Sequence, residues 1–118
     1  MIPRRKPRLR SGIERAPQRE FPQHRQWVRQ TRACIVEGCE DRMIEAAHFD
    51  GPVPVEDMGG KGLKRHDRWV FPCCHLHHRE MHNAGWQAFE AKYRVNLKAT
   101  AESLAKTSPH RWRWEEGR

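Results

Sequence analysis

Long apolar stretches are absent from this chain of 118 residues. It contains no run of about 18 apolar residues, the length that a membrane-spanning helix requires. The first ten residues, MIPRRKPRLR, carry charge with no apolar segment behind them, so they do not resemble a secretory signal. We therefore expect a cytoplasmic protein.

Apolar residues are also scarce overall, since 36% of the chain is hydrophobic and 32% is charged. A single small domain of this composition buries little apolar surface and needs an additional stabilising link. Four cysteines and eight histidines can supply one. Disulfides are the first alternative, but Cys73 and Cys74 are adjacent and no secretory signal precedes them. Cysteine and histidine mixed at short spacing favour a bound metal.

Acidic residues are rare in the first quarter of the chain. Residues 1–32 contain ten Arg and Lys against two Glu, a net charge of +8, whereas residues 33–118 contain thirteen of each sign. Four prolines also interrupt this segment. We predict that residues 1–32 form a disordered arm that binds nucleic-acid phosphates. Its leading basic residues are Arg4, Arg5, Lys6, Arg8 and Arg10. The alternative is a solvated tail without a ligand.

The rest of the sequence predicts a small α+β domain over residues 33–108, followed by a tail over 109–118 without clear structure. In chain order, we expect a Cys-bearing turn (34–39), a strand (43–49), a Gly- and Pro-rich loop (50–66), a strand (68–71), a helix (75–82), an amphipathic helix (86–97) and a further helical stretch (99–105).

Four residues have the types and spacing of a structural zinc site. Cys34 and Cys39 form one pair, and the segment FPCCHLHHREMH (71–82) adds two cysteines and four histidines. Thiolates and imidazole in a closed set of four are typical of structural zinc. We assign Cys34, Cys39, Cys74 and His77 as the ligands. Cys73 is the alternative to Cys74, and unrelated thiols beside a His-rich turn are the alternative to any site.

His78 and His82 lie four residues apart on the predicted helix, so their rings project from one face and can share a second cation. The alternative is one surface histidine and one that caps the helix end. His48 ends the first strand before the loop, where its ring would face an open edge. Phosphodiester hydrolysis needs a base to deprotonate water, and histidine suits this role. A packed structural histidine is the alternative for His48.

The whole pattern resembles HNH nucleases, also called His-Me finger nucleases. The resemblance rests on Cys-x4-Cys, EAAHF (45–49), the loop segment GGKGLKRHDRW and FPCCHLHHREMH, and it covers about residues 33–90. It is similar in particular to small phage or prophage members related to the Ref recombination-enhancement nucleases. It implies a ββα-metal finger with a zinc knuckle and C-terminal helices. It also implies nicking or cutting of DNA with a divalent cation such as Mg²⁺, in the cytoplasm of a bacterial host.

The resemblance assigns roles to single residues. His48 matches the general base, His78 matches the last motif histidine, which binds the cation, and His82 matches an additional ligand position. The middle motif residue is usually Asn, for which Asp67 is the best substitute and His66 the second. Many members have Asp or His directly before the base as a ligand, and Ala47 stands there in this chain. The Ref comparison also suggests a recombinase filament as a partner.

Basic residues of the loop would hold the DNA strand that is cut, and the alternative is a solvated loop. These residues are Lys61, Lys64 and Arg65. The segment Arg111–Trp114 alternates Arg and Trp, which either stack on bases or pack on a helix. The sequence thus predicts a DNA endonuclease. The alternatives are a catalytically inactive zinc module that binds DNA or protein, and an RNA-binding knuckle.

Overall fold

A computed structural model describes residues 18–59 and 64–115. Within these residues the chain forms a two-stranded sheet and five α-helices. The elements are α1 (Pro22–Thr31), β1 (Ile44–His48), β2 (Val70–Cys74), α2 (His75–Ala84), α3 (Trp86–Tyr93), α4 (Leu97–Thr107) and α5 (Trp112–Glu115), with 3-10 turns at Val55–Asp57 and Asp67–Trp69. The expected small α+β architecture is confirmed.

The two strands form an antiparallel ribbon in which Ile44 pairs with Cys74 and His48 pairs with Val70. The second strand begins and ends later than the predicted range of 68–71, and it continues through Pro72. A proline is tolerated there because each strand of a two-stranded ribbon has one edge without a partner strand. The ribbon therefore delivers the chain directly into α2 at Cys74.

Local hydrogen bonds fix the ends of the helices that follow. The Cys74 side chain accepts a hydrogen bond from the His77 N–H at the start of α2, and Gly85 ends that helix with φ 93°. The single amphipathic helix expected over 86–97 is instead two helices. Arg94 takes the left-handed conformation at the end of α3, and the Asn96 side chain caps α4. Glycine suits the positive φ at residue 85, and asparagine suits the N-cap of α4.

The main core lies between the ribbon and helices α2 to α4. Its largest fully buried side chains are aromatic or aliphatic: Phe49, Phe71, Met81, Phe89 and Leu97. Trp69 and Phe89 belong to this core, and Trp86 packs against it while partly buried. No helix among the described residues combines the length and hydrophobicity that crossing a bilayer requires.

The boundary that we predicted near residue 32 is wrong, because α1 is part of the folded domain. Val28 is fully buried against Val70 and Leu104, and α1 contacts both strands. Phe21 and His24 are also buried, and they share the apolar face of α1 with Val28. These three buried residues anchor the helix to the domain, although many of its neighbouring residues are arginines. The arm residues Arg4, Arg5, Lys6, Arg8 and Arg10 lie outside the described residues.

Within the predicted tail of residues 109–118, the described residues 109–115 are ordered and include α5, in contrast to the prediction. The Trp114 ring lies 5.3 Å from the ring of Phe21 and 5.0 Å from that of His24, centroid to centroid. Its indole is almost completely buried. Trp114 therefore packs on α1 and is not available to stack on a base. Residues 116–118 lie outside the described part of the chain.

The long loop between the strands is held at both ends. The Phe49 N–H donates to the Trp69 carbonyl at 2.8 Å, which prolongs the ribbon by one bond. Gly51 follows, and a Cβ atom at this position would lie 2.2 Å from the Phe49 ring. Farther along, the buried Asp57 carboxylate accepts a hydrogen bond from Trp69 Nε1 at 2.9 Å. The loop thus returns to the ribbon beside His48.

Candidate functional site

Three cysteines and one histidine meet where the Cys-bearing turn packs on the start of α2. The ligand atoms of Cys34, Cys39, Cys74 and His77 all lie within 4.8 Å of one another. The Ile35 N–H donates to the Pro72 carbonyl at 2.9 Å and so holds the turn against β2. This Cys3His set can hold a metal ion.

The distances within this set match those expected around a tetrahedral ion. Metal–sulfur and metal–nitrogen bonds of zinc length predict about 3.8 Å between two sulfurs and about 3.6 Å between sulfur and nitrogen. Cys39 Sγ lies 3.8 Å from Cys74 Sγ. His77 Nδ1 lies 3.6 Å from Cys34 Sγ and 3.2 Å from Cys74 Sγ. His77 therefore presents Nδ1 to the centre of the set.

Two backbone groups donate to the same sulfurs. The Cys74 N–H lies 3.3 Å from Cys34 Sγ, and the His77 N–H lies 3.4 Å from Cys74 Sγ. Such donors favour the thiolate form that a metal needs. The choice of Cys74 as the ligand is thus supported by the geometry.

Cys73 lies outside the Cys3His set, in the main core and with no exposed surface. Burial, together with the neighbouring cysteine sulfurs, raises the pKa of its thiol far above the ordinary value. It therefore remains protonated and acts as a small buried apolar residue.

His48 and Asp67 form a pair at the other end of the ribbon. His48 Nε2 lies 2.8 Å from Asp67 Oδ1. The other carboxylate oxygen accepts a hydrogen bond from the Phe21 N–H at 2.6 Å, and Arg25 Nε lies 3.1 Å from it. Asp67 thus connects the strand end to α1.

Burial of the Asp67 carboxyl would by itself raise its pKa. The hydrogen bonds from His48 and the Phe21 N–H, with the charge of Arg25, outweigh burial and lower the pKa below its ordinary value. The carboxylate is therefore ionised and can only accept hydrogen bonds. It follows that Nε2 of a neutral His48 ring carries the proton and that Nδ1 carries the lone pair.

A second chain of contacts runs along α2. Glu45 Oε1 lies 2.6 Å from His78 Nδ1, and His78 Nε2 lies 3.0 Å from His82 Nε2. A carboxylate that accepts from Nδ1 fixes the tautomer in which Nε2 is free to bind a cation. Two nitrogens bound at a right angle to one cation would be about 3.0 Å apart. His78 and His82 can therefore share a cation.

The histidines of both sets border the same open cleft of about 740 Å³. His48 lines it from the strand end, and His78 and His82 line it from α2. Asp50 also lines it, with one oxygen 3.6 Å from His82 Nδ1. The cleft is thus bordered by His48, whose Nε2 contacts Asp67, and by a pair of histidines beside carboxylates.

The basic residues at the cleft differ from one another in what they contact. Lys64 is exposed at its rim. Arg65 also lines it, but its guanidinium donates to the Gly51 carbonyl at 2.7 Å and to the Asp50 carbonyl at 3.2 Å. Arg65 therefore holds the loop as well as bordering the cleft. Lys61 lies outside the described residues.

His66 does not compete with Asp67 for the position beside His48. Its Nδ1 accepts a hydrogen bond from the Arg68 N–H at 3.0 Å, and its ring stacks on Phe21. The ring is buried and does not border the cleft. Its role is to hold the turn that carries Asp67.

Sequence reasoning missed two residues of the site. Arg25 reaches the cleft from a segment that we expected to be disordered, and Glu45 contacts His78 across the ribbon. Glu45 lies two residues before Ala47, so both side chains leave the same face of β1. The sequence predicts that Glu45 and Ala47 share a face of the strand, but it does not predict that Glu45 contacts α2. Ala47 itself is fully buried in the core and offers no ligand.

Comparison with known proteins identifies a family. A family profile described as "Protein of unknown function (DUF968)" matches residues 14–108. The chain is also similar to "Uncharacterized protein YdfU" of Escherichia coli (strain K12), with 33% identity over 85 residues, which are 66% of this chain and 22% of YdfU. It therefore spans about a fifth of the length of that relative. No solved structure matches the chain. Because the family match includes the Cys3His set and every residue that lines the cleft, the chain belongs to the family of proteins of unknown function DUF968.

Proposed function

We propose that this protein is a metal-dependent DNA endonuclease of the HNH type. The observation that carries the proposal is that His48, which contacts Asp67, borders one open cleft together with the His78–His82 pair. A base and a cation site facing each other across a cleft are what phosphodiester hydrolysis requires. The order of ribbon and helix, β1, β2 and α2, agrees with a ββα-metal finger.

His48 acts as the general base in this proposal. With its Nε2 proton held by Asp67, its Nδ1 lone pair accepts a proton from a water molecule in the cleft. The water oxygen bonds to phosphorus, and the bond from phosphorus to one sugar oxygen breaks. The leaving oxygen takes a proton from solvent, so the products are a phosphomonoester and a hydroxyl. Asp67 holds the ring orientation and stabilises the imidazolium form.

His78 and His82 would hold a divalent cation such as Mg²⁺, which neutralises charge on the phosphate and on the leaving oxygen. Glu45 orients His78 through Nδ1. Asp50 lies 3.6 Å from His82 Nδ1, the ring nitrogen that does not face His78, so it lies beside His82 rather than at the cation. The Cys3His set takes zinc in a structural role, because four protein ligands leave no open position for substrate.

A second candidate is a zinc module that binds DNA without cutting it. Ala47 favours this reading, because it stands where related nucleases have a further ligand and it is buried. Two imidazoles alone bind a hard cation such as Mg²⁺ less well than a site that includes a protein carboxylate. The two candidates therefore differ in whether His78 and His82, with water or phosphate in the remaining positions, hold a cation that supports cleavage.

Nicking of supercoiled plasmid tests the proposal directly. The zinc-bound full-length protein is incubated with Mg²⁺ or Mn²⁺, beside H48A, H78A and the control H110A. His110 contacts Arg113 at the C-terminal end and does not border the cleft. We expect nicking by the wild type and by H110A. Loss of the base should lower the rate about 10²- to 10⁴-fold in H48A.

Folding of each variant is checked by circular dichroism and by its bound zinc. Plasmid that stays supercoiled with wild-type protein and either cation, while DNA binding is retained, would overturn the endonuclease and favour the zinc module. Equal nicking by H48A and the wild type would reject His48 as the base.

A further inference from the structure

Helix α1 presents arginines on one side, where they lie between two open grooves. Arg25 borders the cleft that holds His48. Arg29 and Arg32 border a second groove of about 830 Å³, on the side of α1 towards the Cys-bearing turn. The spacing of four and seven residues places all three on one face of the helix or just past its end. We call these three residues the α1 arginine row.

The second groove carries a positive balance. Arg42 joins Arg29 and Arg32 in its lining, against Glu40 and Asp41. The Asp41 carboxylate is engaged by the Met43 N–H at 2.9 Å and by His75 Nε2 at 3.1 Å. Its charge is therefore partly offset by groups within the fold. Arg29, Arg32 and Arg42 are exposed.

The row is held rigidly relative to the cleft. The adjacent face of α1 is anchored by Phe21, His24 and Val28, all buried. Arg25 is fixed by its ion pair with Asp67, the residue that also holds His48. The Arg32 guanidinium lies over the Trp27 ring at 4.8 Å. Arg25 and Arg32 are thus fixed in position, unlike the cations of a solvated helix surface.

We propose that the α1 arginine row binds the phosphate backbone of DNA and leads it from the cleft into the second groove. This inference rests on the proposed function, because it takes DNA as the substrate in the cleft. Seven residues of helix span about 10 Å, comparable with the rise of about three base pairs along the axis of B-DNA at about 3.4 Å each. Arg25 contacts the phosphate nearest the reaction, and Arg29 and Arg32 contact phosphates farther along the same strand.

The experiment compares double variants of the full-length, zinc-bound protein, in which two basic side chains are replaced at a time. R29Q/R32Q removes two cations from the row, and R79Q/K106Q removes two exposed cations that border neither groove. R29K/R32K keeps the charges. Affinity for a short fluorescent DNA duplex is measured by anisotropy over a range of salt concentrations, with no added Mg²⁺ or Mn²⁺. Wild-type plasmid nicking is measured in parallel.

We expect R29Q/R32Q to bind about tenfold more weakly or worse near 0.1 M salt, with a slope of log K against log salt that is shallower by about 1.8. R79Q/K106Q should keep most of both quantities, and R29K/R32K should recover most of the affinity. Equal affinity and slope in R29Q/R32Q and R79Q/K106Q would overturn the proposal. That result would indicate another occupant, such as an acidic protein segment.

The two proposals fail separately. Wild-type protein that nicks plasmid, with no specific effect of R29Q/R32Q on binding, would reject the arginine row and leave the endonuclease standing. Wild-type protein that does not nick, with the expected loss of binding in R29Q/R32Q, would reject the endonuclease. The row would then be the DNA-binding surface of a zinc module.

Discussion

Replacing Asp67 by Asn separates its contribution to stability from its contribution to the reaction. The side chain keeps its shape but loses the charge that faces Arg25 at 3.1 Å and one of the acceptors used by His48 and the Phe21 N–H. A hydrogen bond to a charged group contributes about 1.5–3 kcal/mol, so we expect D67N to lower the free energy of unfolding by about 2–4 kcal/mol. Urea denaturation measures this loss.

The effect of D67N on the reaction should be larger than its effect on folding. An amide NH₂ beside His48 Nε2 can donate a hydrogen bond, which favours the tautomer with the proton on Nδ1. The lone pair would then face away from the cleft. We expect the nicking rate per folded molecule to fall about 10²- to 10⁴-fold. The rate is measured at a temperature where the variant is fully folded.

Asp57 provides the matched control. It is as buried as Asp67 and also accepts a hydrogen bond, but from Trp69 Nε1 at 2.9 Å rather than from His48. D57N should therefore lose stability by a similar amount and keep its nicking rate per folded molecule. If D67N nicks within a few-fold of D57N, the assignment of His48 and Asp67 as a pair that acts in the reaction is wrong.

D67N also tests how the free energy of unfolding depends on pH under acidic conditions. The pKa of Asp67 is lower in the fold than its ordinary value of 3.8. The ionised carboxylate therefore contributes stability above that value, and the contribution is lost as the pH falls towards the lower folded-state pKa. D67N should lack this part of the acid-dependent loss. An unchanged difference between D67N and wild type across this range would contradict the lowered pKa.

Three further predictions concern the fold around the site. C39S should lower bound zinc well below one ion per chain by elemental analysis and cost about 3 kcal/mol or more in urea, whereas full zinc occupancy in C39S would remove Cys39 from the ligand set. G51A should lower the free energy of unfolding by about 1–3 kcal/mol, because its Cβ would overlap the Phe49 ring, which is packed on Trp86. A urea midpoint within error of that of the wild type would show that the ring can move. Burial, partly opposed by the charge of Asp67, lowers the pKa of His24 to about 4. Stability should therefore fall by about 3 kcal/mol as the pH drops from about 6.5 to about 4. H24Q should show only the smaller loss that comes from the zinc ligands, and parallel pH profiles of H24Q and wild type would contradict this.

The parts that the sequence predicted are those whose signals are local. The Cys-x4-Cys spacing brings two ligands together in one turn, and the three-residue spacing of Cys74 and His77 brings two more together at the start of one helix. The Cys3His set could therefore be predicted without knowledge of the fold. The same holds for His78 and His82, which are one helical turn apart. Strand order was enough to bring Asp67 near His48, because a ribbon returns the chain to its own edge.

The parts that were missed depend on long-range packing. The three anchors of α1 are diluted among arginines, so composition predicted disorder where burial against Val70 and Leu104 decides the outcome. Glu45 depends on how α2 lies across the ribbon, which no spacing encodes. Trp114 could equally have stacked on a base, and only the position of α1 shows the surface that it covers.

Anomalous scattering from crystals of the zinc-bound protein soaked in Mn²⁺ tests the central claim most directly. We predict two distinct ions in these crystals. Zinc is bound by Cys34, Cys39, Cys74 and His77. Manganese is bound by His78 and His82, in the cleft that His48 borders. Zinc in the first site with no manganese at His78 and His82, in protein that also leaves plasmid uncut, would contradict it.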